Sequence, residues 1–243
     1  MKHFKQIYFQ KKVKIKLSQK KEKNIVTEIL PSNEEGIFRA AQILNSGGLV
    51  AFPTETVYGL GADATNSKAV KMIYETKGRP DKNPLIIHVY DEKIAEEVVE
   101  MDAQAMTLSK FFWPGPLTLV LKKNSNLKIK IAENALSKLQ TVAIRIPSHP
   151  IARRILSHCK NPIVAPSANM SGKLSTTRFE DVLNCMSGKI DAIVNGGPCP
   201  IGLESTIVKI KNGNLSVLRP GRITEEEIES KIGNLTNRND IVK

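Results

Sequence analysis

Short apolar blocks alternate along the chain with segments of mixed apolar and polar residues. The blocks GGLVAF, PLIIHV and LTLVL are five or six residues long, which is the length of buried strands and far below the roughly 18 residues of a membrane span. The mixed segments SNEEGIFRAAQILNSGG and SKAVKMIYETK carry apolar residues three or four positions apart, as on one face of a helix. This alternation predicts one α/β domain with a twisted mixed β-sheet and helices packed over it.

The same pattern predicts the other elements. Strands are expected in PLIIHVY, PLTLVLKK, TVAIRIP, PIVAP, IDAIVNGG, STIVKIK and LSVLRPG. Helices are expected at about residues 91 to 99 and 102 to 112, and in HPIARRILSH, FEDVLNCMSG and TEEEIESKIG. The stretch FPTETVYGLGADATN, which contains Gly59 and Gly61, is predicted to be a loop, in which glycine lets the backbone turn or approach a ligand.

Capping residues mark the ends of three predicted helices. Ser32 is expected to cap the first helix, with Glu35 three residues later as its capping-box partner. Asn66 is expected to cap the second helix, which Gly78 should end. Thr224 is expected to cap the closing helix, whose acidic first turn suits the positive end of the helix dipole.

Positive charge is concentrated at the amino terminus. Residues 1 to 23 hold nine lysines and one acid, so they carry +8 of the net charge of +12, and the rest of the chain is mildly basic. We predict a flexible basic extension over residues 1–25 and a folded domain over residues 26–243. The extension could be a solvated arm or a weak RNA-binding arm. It lacks the apolar centre of a secretory signal, whereas its scarcity of acidic residues is also consistent with a mitochondrial transit peptide.

The sequence lacks the common motifs for disulfide frameworks, metal sites and nucleotide-binding loops. Cys159, Cys185 and Cys199 lie far apart and in no CxxC spacing, which disfavours a disulfide framework and a zinc site and favours a reducing, cytoplasmic setting. The four histidines form no HExxH pair, so no metal site built by the protein is predicted. Neither a GxxxxGKS/T loop nor a GxGxxG loop after a strand occurs, so a nucleotide would be bound by another device.

Polar side chains cluster at the ends of the predicted strands. The set comprises Thr54, Glu55, Thr56, Tyr58, His88, Arg145, Ser167, Asn169, Ser205, Thr206 and Arg219. Any one of the hydroxyl or amide groups could simply end a strand or bond to local backbone. Arg145 is harder to explain in this way, because it lies in an apolar strand and a buried guanidinium needs an anionic partner. Together these residues predict a site that positions anionic substrates and stabilises charge without a covalent nucleophile.

Seven motifs occur in the order typical of one known family: PTETVYGLGADATN, KGRPDKNPLIIHV, FWPGPLTLVL, VAIRIPSHP, PIVAPSANMSGKLSTT, ESTIV and VLRPG. Through them the chain resembles the YrdC-like threonylcarbamoyl-AMP synthases over about residues 27 to 233, in the single-domain form without the additional C-terminal domain of longer members. The resemblance implies a YrdC-like catalytic domain that converts L-threonine, bicarbonate or carbon dioxide, and ATP into threonylcarbamoyl-AMP and pyrophosphate.

The resemblance also implies roles for individual residues. Around L-threonine it places Thr56, His88, Arg145, Ser167 and Ser205. Around the nucleotide it places Arg79, Asn83, Thr141, Asn169, Thr177 and Arg219. Lys77, Arg79 and Arg219 would be catalytic, since they supply positive charge for the triphosphate and the reacting α-phosphate, with Mg²⁺ neutralising the departing pyrophosphate.

The residue types suit these roles. Arg145 has a planar fork that matches the carboxylate of threonine, and hydroxyl or amide groups can recognise the substrate's own hydroxyl. The amine of threonine would capture carbon dioxide, and a carbamate oxygen would attack the α-phosphorus, so the protein need not supply a nucleophile. The acceptor of the amine proton stays open, with His88 as one candidate.

Two functions are consistent with the sequence. A synthase would pass its adenylate to a separate tRNA threonylcarbamoyltransferase, which modifies the adenosine that follows the anticodon. A binding module would be a YrdC-like factor that holds double-stranded RNA or tRNA through its arm and a basic surface. Cations suited to phosphates, combined with specific hydroxyl and amide groups, favour the synthase.

Overall fold

The computed structural model describes residues 25–126 and 129–233, so nearly all of the predicted basic extension lies outside the described residues. The strands are β1 (Glu28–Pro31), β2 (Val50–Pro53), β3 (Tyr58–Asp63), β4 (Ile86–His88), β5 (Leu117–Lys122), β6 (Thr141–Arg145), β7 (Ile163–Val164), β8 (Ala192–Asn195), β9 (Thr206–Lys211) and β10 (Asn214–Arg219). The helices are α1 (Glu34–Asn45), α2 (Ser67–Lys77), α3 (Glu92–Val98), α4 (Ala103–Phe112), α5 (Pro150–His158), α6 (Phe179–Met186) and α7 (Glu225–Ile232), with a 3₁₀ turn at Glu133–Ala135. Within these residues no helix combines the length and the apolar character needed to cross a bilayer.

The ten strands of the described chain form one mixed sheet in the order β1-β8-β2-β3-β7-β4-β6-β5-β9-β10. The β1/β8, β2/β8, β4/β6 and β5/β9 pairs are parallel. The β2/β3, β3/β7, β4/β7, β5/β6 and β9/β10 pairs are antiparallel. The predicted α/β fold with a mixed sheet is therefore confirmed.

Helices pack on both faces of the sheet, because successive strand residues point to opposite faces. In β2, Val50 and Phe52 pack with α1 and α5, whereas Ala51 belongs to the core cluster that includes α2. In β8, Val194 lies in the cluster with α1 and α5, and Ile193 lies in the cluster with α2. These five residues are fully buried, and burying a side chain of the size of valine or phenylalanine contributes about 1.5–3 kcal/mol. A shift of one residue would exchange the two faces, so two-sided burial fixes the strand register.

Most of the predicted helix ends are found. The side chain of Asn66 caps α2, Thr224 caps α7 with a capping box, and Gly78 ends α2 in the left-handed conformation with φ of 60°. The predicted cap at Ser32 is wrong by one residue. Asn33 caps α1, and its side chain accepts a backbone hydrogen bond at 3.0 Å. Serine and asparagine are about equally good caps, so composition alone does not decide between neighbours.

The predicted loop through FPTETVYGLGADATN is wrong at its centre, because Tyr58–Asp63 forms the fully buried strand β3, antiparallel to β2. A Cβ atom added at Gly61 would lie 2.7 Å from the Phe52 ring, and one added at Gly59 would lie 3.2 Å from the Cβ of Ala165. The two glycines thus permit close packing inside the sheet. Residues 54–57 form the turn between β2 and β3 and carry the polar groups of this motif.

Candidate functional site

A small cavity lies where the turn between β2 and β3 meets the ends of β4, β6 and β10 and the loop after β7. Its volume is about 110 Å³, below the roughly 300–1,000 Å³ of pockets for drug-sized ligands. The cavity brings together seven of the predicted site residues: Thr56, Arg79, His88, Arg145, Ser167, Ser205 and Arg219. Because β4 and β6 are parallel neighbours in register, His88 lies directly opposite Arg145.

Arg145 is buried and is held by three protein groups. Its Nη2 forms an ion pair with Glu55 Oε1 at 2.6 Å, its Nη1 donates to Thr56 Oγ1 at 3.0 Å, and its Nε donates to the Gly115 carbonyl at 3.2 Å. Only 5% of the Arg145 side chain and 6% of the Glu55 side chain are exposed. The anionic partner that a buried Arg145 requires is therefore Glu55, and these bonds use three of the five guanidinium N–H groups.

The hydroxyl of Thr56 has a defined direction. Thr54 Oγ1 donates its proton to the Val57 carbonyl at 2.6 Å. The hydrogen bond of 2.8 Å between the Thr54 and Thr56 hydroxyls must then use the proton of Thr56. Since Arg145 donates to the same Thr56 oxygen, that hydroxyl can offer a ligand only a remaining lone pair. Thr56 is thus an acceptor for a ligand N–H or O–H group.

His88 is buried and uncharged at neutral pH. Burial, with a further contribution from the positive charge of Arg145, lowers the pKa of His88 to about 3. Its Nδ1 lies 3.2 Å from the Ile86 carbonyl. An imidazole with such a low pKa is a weak proton acceptor near pH 7, so the structure does not favour His88 as the base.

Arg219 is the second arginine with a carboxylate partner at the cavity. Its Nη1 forms an ion pair with Glu204 Oε2. Its Nε and Nη2 donate to the Ser205 carbonyl at 3.2 and 2.9 Å, and its Nη2 also donates to Ser205 Oγ at 3.0 Å. The other oxygen of Glu204 accepts a hydrogen bond from Ser175 at 2.6 Å. Burial lowers the pKa of Arg219, and the charge of Glu204 opposes this effect.

Lys77 lies outside the cavity lining and holds the loop that follows β7. Its Nζ donates to the backbone carbonyls of Ser167 and Asn169, and its own carbonyl accepts from the N–H of Ser171 at 2.8 Å. Burial and then the charge of Arg79 lower the pKa of Lys77 to about 8. This lysine therefore holds the loop against the end of α2.

Arg79 lines the cavity and organises the loop after α2. It donates to the carbonyls of Asn83 at 3.4 Å and Pro84 at 3.2 Å, and the hydroxyl of Tyr74 also donates to the Asn83 carbonyl at 3.1 Å. Burial lowers the pKa of Arg79. The side chain of Asn83 is exposed and does not line the cavity.

Three other predicted nucleotide contacts lie outside the cavity lining. The amide of Asn169 donates to two nearby backbone carbonyls, while its Oδ1 is buried without a hydrogen-bond partner in the described part of the chain. Thr141 begins β6, four residues before Arg145, which corresponds to roughly 13 Å along a strand. Thr177 is half-buried. The ligand-binding roles of these residues, and of those in the cavity, stay predictions.

Sequence reasoning did not assign roles to the two carboxylates that pair with the arginines. Glu55 belonged to the polar cluster at the strand ends, and Glu204 to the ESTIV motif, but neither was placed in the site. The requirement of a buried arginine for an anion was the signal that could have found them. Thr118 was also missed; it is fully buried and its hydroxyl lies 2.8 Å from Ser205 Oγ.

The fold and the cavity define a mixed α/β protein in which arginines, hydroxyl groups and the carboxylate of Glu204 line one small cavity. The sequence profile of the Sua5/YciO/YrdC family, described as "Telomere recombination", matches residues 42–221. The chain belongs to this family.

The sequence is also similar to named relatives. A threonylcarbamoyl-AMP synthase of Bacillus subtilis is 47% identical over 209 residues, covering 86% of this chain and 60% of that protein. A putative threonylcarbamoyl-AMP synthase of Methanocaldococcus jannaschii is 33% identical over 211 residues, covering 85% of this chain and 97% of that protein. The crystal structure of Pyrococcus abyssi Sua5 complexed with L-threonine matches with a TM-score of 0.81 at 44% identity, covering 86% of this chain and 62% of that one. The chain thus spans less than two thirds of the Bacillus and Pyrococcus proteins.

Proposed function

We propose that the protein is an L-threonylcarbamoyladenylate synthase, an enzyme of the nucleotidyltransferase class. It would join L-threonine, bicarbonate or carbon dioxide, and ATP, and release pyrophosphate. The proposal rests on the meeting of Arg145 and Thr56 with Arg79 and Arg219 in one cavity, which sets groups for an amino acid beside groups for phosphates. The names of the Bacillus and Methanocaldococcus relatives and the threonine complex of Pyrococcus Sua5 support the same reaction.

L-Threonine would bind at the Arg145 end of the cavity. Two guanidinium N–H groups, beyond the three that the protein uses, can bind the substrate carboxylate. Thr56, as a hydrogen-bond acceptor, suits an N–H group of the amine. Ser167 and Ser205 line the same cavity and can contact the substrate hydroxyl, and His88 would add a hydrogen bond from a neutral ring. This arrangement would discriminate against amino acids that leave these polar groups unpaired.

The substrates would supply the reacting atoms. The amine nitrogen would form a C–N bond to carbon dioxide and release a proton to water, a carbamate oxygen would attack the α-phosphorus, and the bond to the departing pyrophosphate would break. Arg79 and Arg219 would stabilise the charge on the phosphates. Lys77 would add positive charge from outside the cavity lining. It would also fix the conformation of the loop after β7 through its hydrogen bonds to the Ser167 and Asn169 carbonyls. Alignment and charge stabilisation are thus the tasks left to the protein.

ATP would extend beyond the small cavity. Four of the predicted nucleotide contacts lie outside the cavity lining: Asn83, Thr141, Asn169 and Thr177. A nucleotide whose phosphates lie at Arg79 and Arg219 would therefore place its nucleoside over the neighbouring surface. The unpartnered Oδ1 of Asn169 supports this proposal, because a buried acceptor is stabilised when a ligand donates to it.

Mg²⁺ would enter with the phosphates of ATP as the cofactor. Magnesium sites commonly combine one or two carboxylates with substrate phosphates and water. In the described residues no group of three or more His, Cys, Asp or Glu side chains could hold a metal. This arrangement suits a metal that the nucleotide brings.

The proposed setting is the cytoplasm, and the proposed final target is tRNA. The three cysteines are free thiols, as expected in a reducing compartment, and burial raises the pKa of Cys159 to about 12 and that of Cys199 to about 11. The adenylate is a reactive carbamoyl donor, and a separate tRNA threonylcarbamoyltransferase would consume it.

Pyrophosphate release by the full chain tests the proposed reaction. With ATP, Mg²⁺ and bicarbonate present, we expect release that requires L-threonine. L-Serine lacks one methyl group and should be roughly 10–200-fold less active, and L-valine, which lacks the hydroxyl, less active still. Release that is independent of threonine or bicarbonate, from protein that is folded and binds ATP, would reject the synthase.

Binding of double-stranded RNA or tRNA is a second candidate function, which the comparisons do not favour and which one observation suggests. A groove of about 1270 Å³ lies beside α2 and shares no lining residue with the candidate site. Its charged lining consists of the acids Asp81 and Glu133 and the bases Lys68, Lys71, Lys82, Lys130 and Lys138. Lysines along a groove suit a phosphate backbone.

Fluorescence anisotropy with a short RNA duplex tests this second function. Replacing Lys71 and Lys82 by glutamine should weaken binding, and the slope of log K against log salt should fall by roughly 0.9 for each phosphate that is no longer neutralised. Lys122, which pairs with Glu100 on the surface outside the groove, provides the matched control. Equal affinity of the groove variant and the wild type would reject RNA binding at this groove.

A further inference from the structure

We propose that Glu204 is an exchangeable counter-anion, which occupies Arg219 in the free protein and yields this position to a phosphate group of the nucleotide. The inference rests on the proposed function, because it concerns the phosphate end of the same cavity. It assigns a role in nucleotide binding to a residue that the motif comparison left without one.

A carboxylate is unexpected at a site for phosphates. Glu204 lines the cavity together with Arg79 and Arg219. Two like charges about 4 Å apart repel each other by about 1 kcal/mol in water and by about 4 kcal/mol at the effective dielectric constant of a protein surface. If Glu204 kept its place, it would therefore weaken the binding of a triphosphate. Its presence is best explained by a task in the free protein.

Glu204 neutralises a partly buried charge. About a third of the Arg219 side chain is exposed, 34%, so the guanidinium is incompletely hydrated. The ion pair with Glu204 compensates for this loss of water. The orientation of Arg219, however, rests on its three hydrogen bonds to Ser205. Departure of Glu204 would consequently leave Arg219 in position and ready for another anion.

Glu204 is also placed to leave. Its side chain is 33% exposed, so its carboxylate can turn into water, where the hydrogen bond from Ser175 can be replaced. A phosphate group forms the same type of charge-assisted hydrogen bond with an arginine as a carboxylate does. Exchange would break the Ser175 bond at the same time, and nucleotide binding would thereby be coupled to the loop that contains Ser175.

Binding of inorganic pyrophosphate, measured by titration calorimetry without Mg²⁺, tests the exchange. Glu204→Gln keeps the shape of the side chain but removes its charge, and we expect it to bind pyrophosphate roughly tenfold more tightly than the wild type. The matched control is Glu100→Gln, which removes another ion-paired glutamate, 3.0 Å from Lys122 on the surface. It should change the affinity by less than about twofold. In Mg²⁺ the advantage of Glu204→Gln should shrink, because the metal neutralises the phosphates.

A double-mutant comparison ties the effect to Arg219. In an Arg219→Gln background, Glu204→Gln should no longer tighten pyrophosphate binding, because no guanidinium is released. Equal or weaker binding by a folded Glu204→Gln variant would overturn the exchange. Weaker binding by that variant only in the presence of Mg²⁺ would make Glu204 a metal ligand and would also overturn it.

The two proposals can fail separately. A wild type that makes the adenylate, with no tighter pyrophosphate binding by Glu204→Gln, would reject the exchange alone. A wild type that shows the Glu204 effect but no threonine-dependent pyrophosphate release would reject the synthase alone. Absence of pyrophosphate binding in both proteins would reject the phosphate site on which both rest.

Discussion

Two arginines that line the same cavity each form an ion pair with a glutamate, and the two pairs differ in their exposure to water. Arg145 and Glu55 are 5% and 6% exposed, whereas Arg219 and Glu204 are 34% and 33% exposed. A buried carboxylate cannot leave without stranding a charge in the protein interior, so Glu55 is a fixed partner of Arg145. A carboxylate at the surface can exchange its partner for water or for another anion. The degree of burial thus determines whether an ion pair is permanent or can exchange its carboxylate for another anion.

Removal of Glu55 should have the largest effect on stability. Glu55→Ala leaves the buried guanidinium of Arg145 without its anion, and we expect a loss of about 3–5 kcal/mol in the free energy of unfolding. Urea denaturation measures this loss. Arg145→Met with Glu55→Ala, which removes both charges, should recover part of it. A Glu55→Ala variant within about 1 kcal/mol of the wild type would contradict the fixed role of this pair.

Acidification should destabilise the buried end of the cavity through His88. The folded pKa of about 3 lies below the ordinary value of 6.5, so the unfolded chain binds more protons between these values and stability falls as the pH is lowered through them. Between pH 7 and pH 5 we expect the wild type to lose about 2 kcal/mol more than His88→Leu, which cannot titrate there. Parallel urea curves at the two pH values provide the measurement, and equal losses would count against a buried neutral His88.

Glu204→Gln should have the smallest effect on stability. Partly exposed ion pairs contribute about 0–1 kcal/mol, and the three hydrogen bonds from Arg219 to Ser205 are kept in this variant. We expect its urea midpoint to lie close to that of the wild type. A loss in the free energy of unfolding as large as that of Glu55→Ala would show that both ion pairs are needed for stability. The contrast between the Arg145–Glu55 and Arg219–Glu204 pairs would then be wrong.

Much of the fold could be predicted from the sequence, because apolar periodicity is strong in most of its elements. The failures have local causes. In β3 the run from Tyr58 to Asp63 contains two glycines and no β-branched residue, so its local strand propensity is low. Its conformation is explained by pairing with β2 and β7 inside the sheet. The short β1 has a single buried residue, Leu30, and therefore leaves little trace in the pattern.

The candidate site was predictable as a set of residue types but not as a set of contacts. Arg145 in an apolar strand implied an anionic partner, yet Glu55 is 90 positions away in the chain and reaches it only through the pairing of strands across the sheet. Glu204 and Arg219 meet for a similar reason, since β9 and β10 form a hairpin. Propensities of single segments contain no information on such pairings between segments.

The hydrogen bonds of Lys77 have a consequence for motion. Its side chain donates to the carbonyls of Ser167 and Asn169, and its backbone carbonyl accepts from Ser171. We therefore expect the end of α2 and the loop after β7 to open together. Amide hydrogens in the two segments should therefore exchange with solvent at coupled rates. A nucleotide that holds Arg79 would slow hydrogen exchange at Ser171 as well, in a segment distant in sequence from the arginine it contacts.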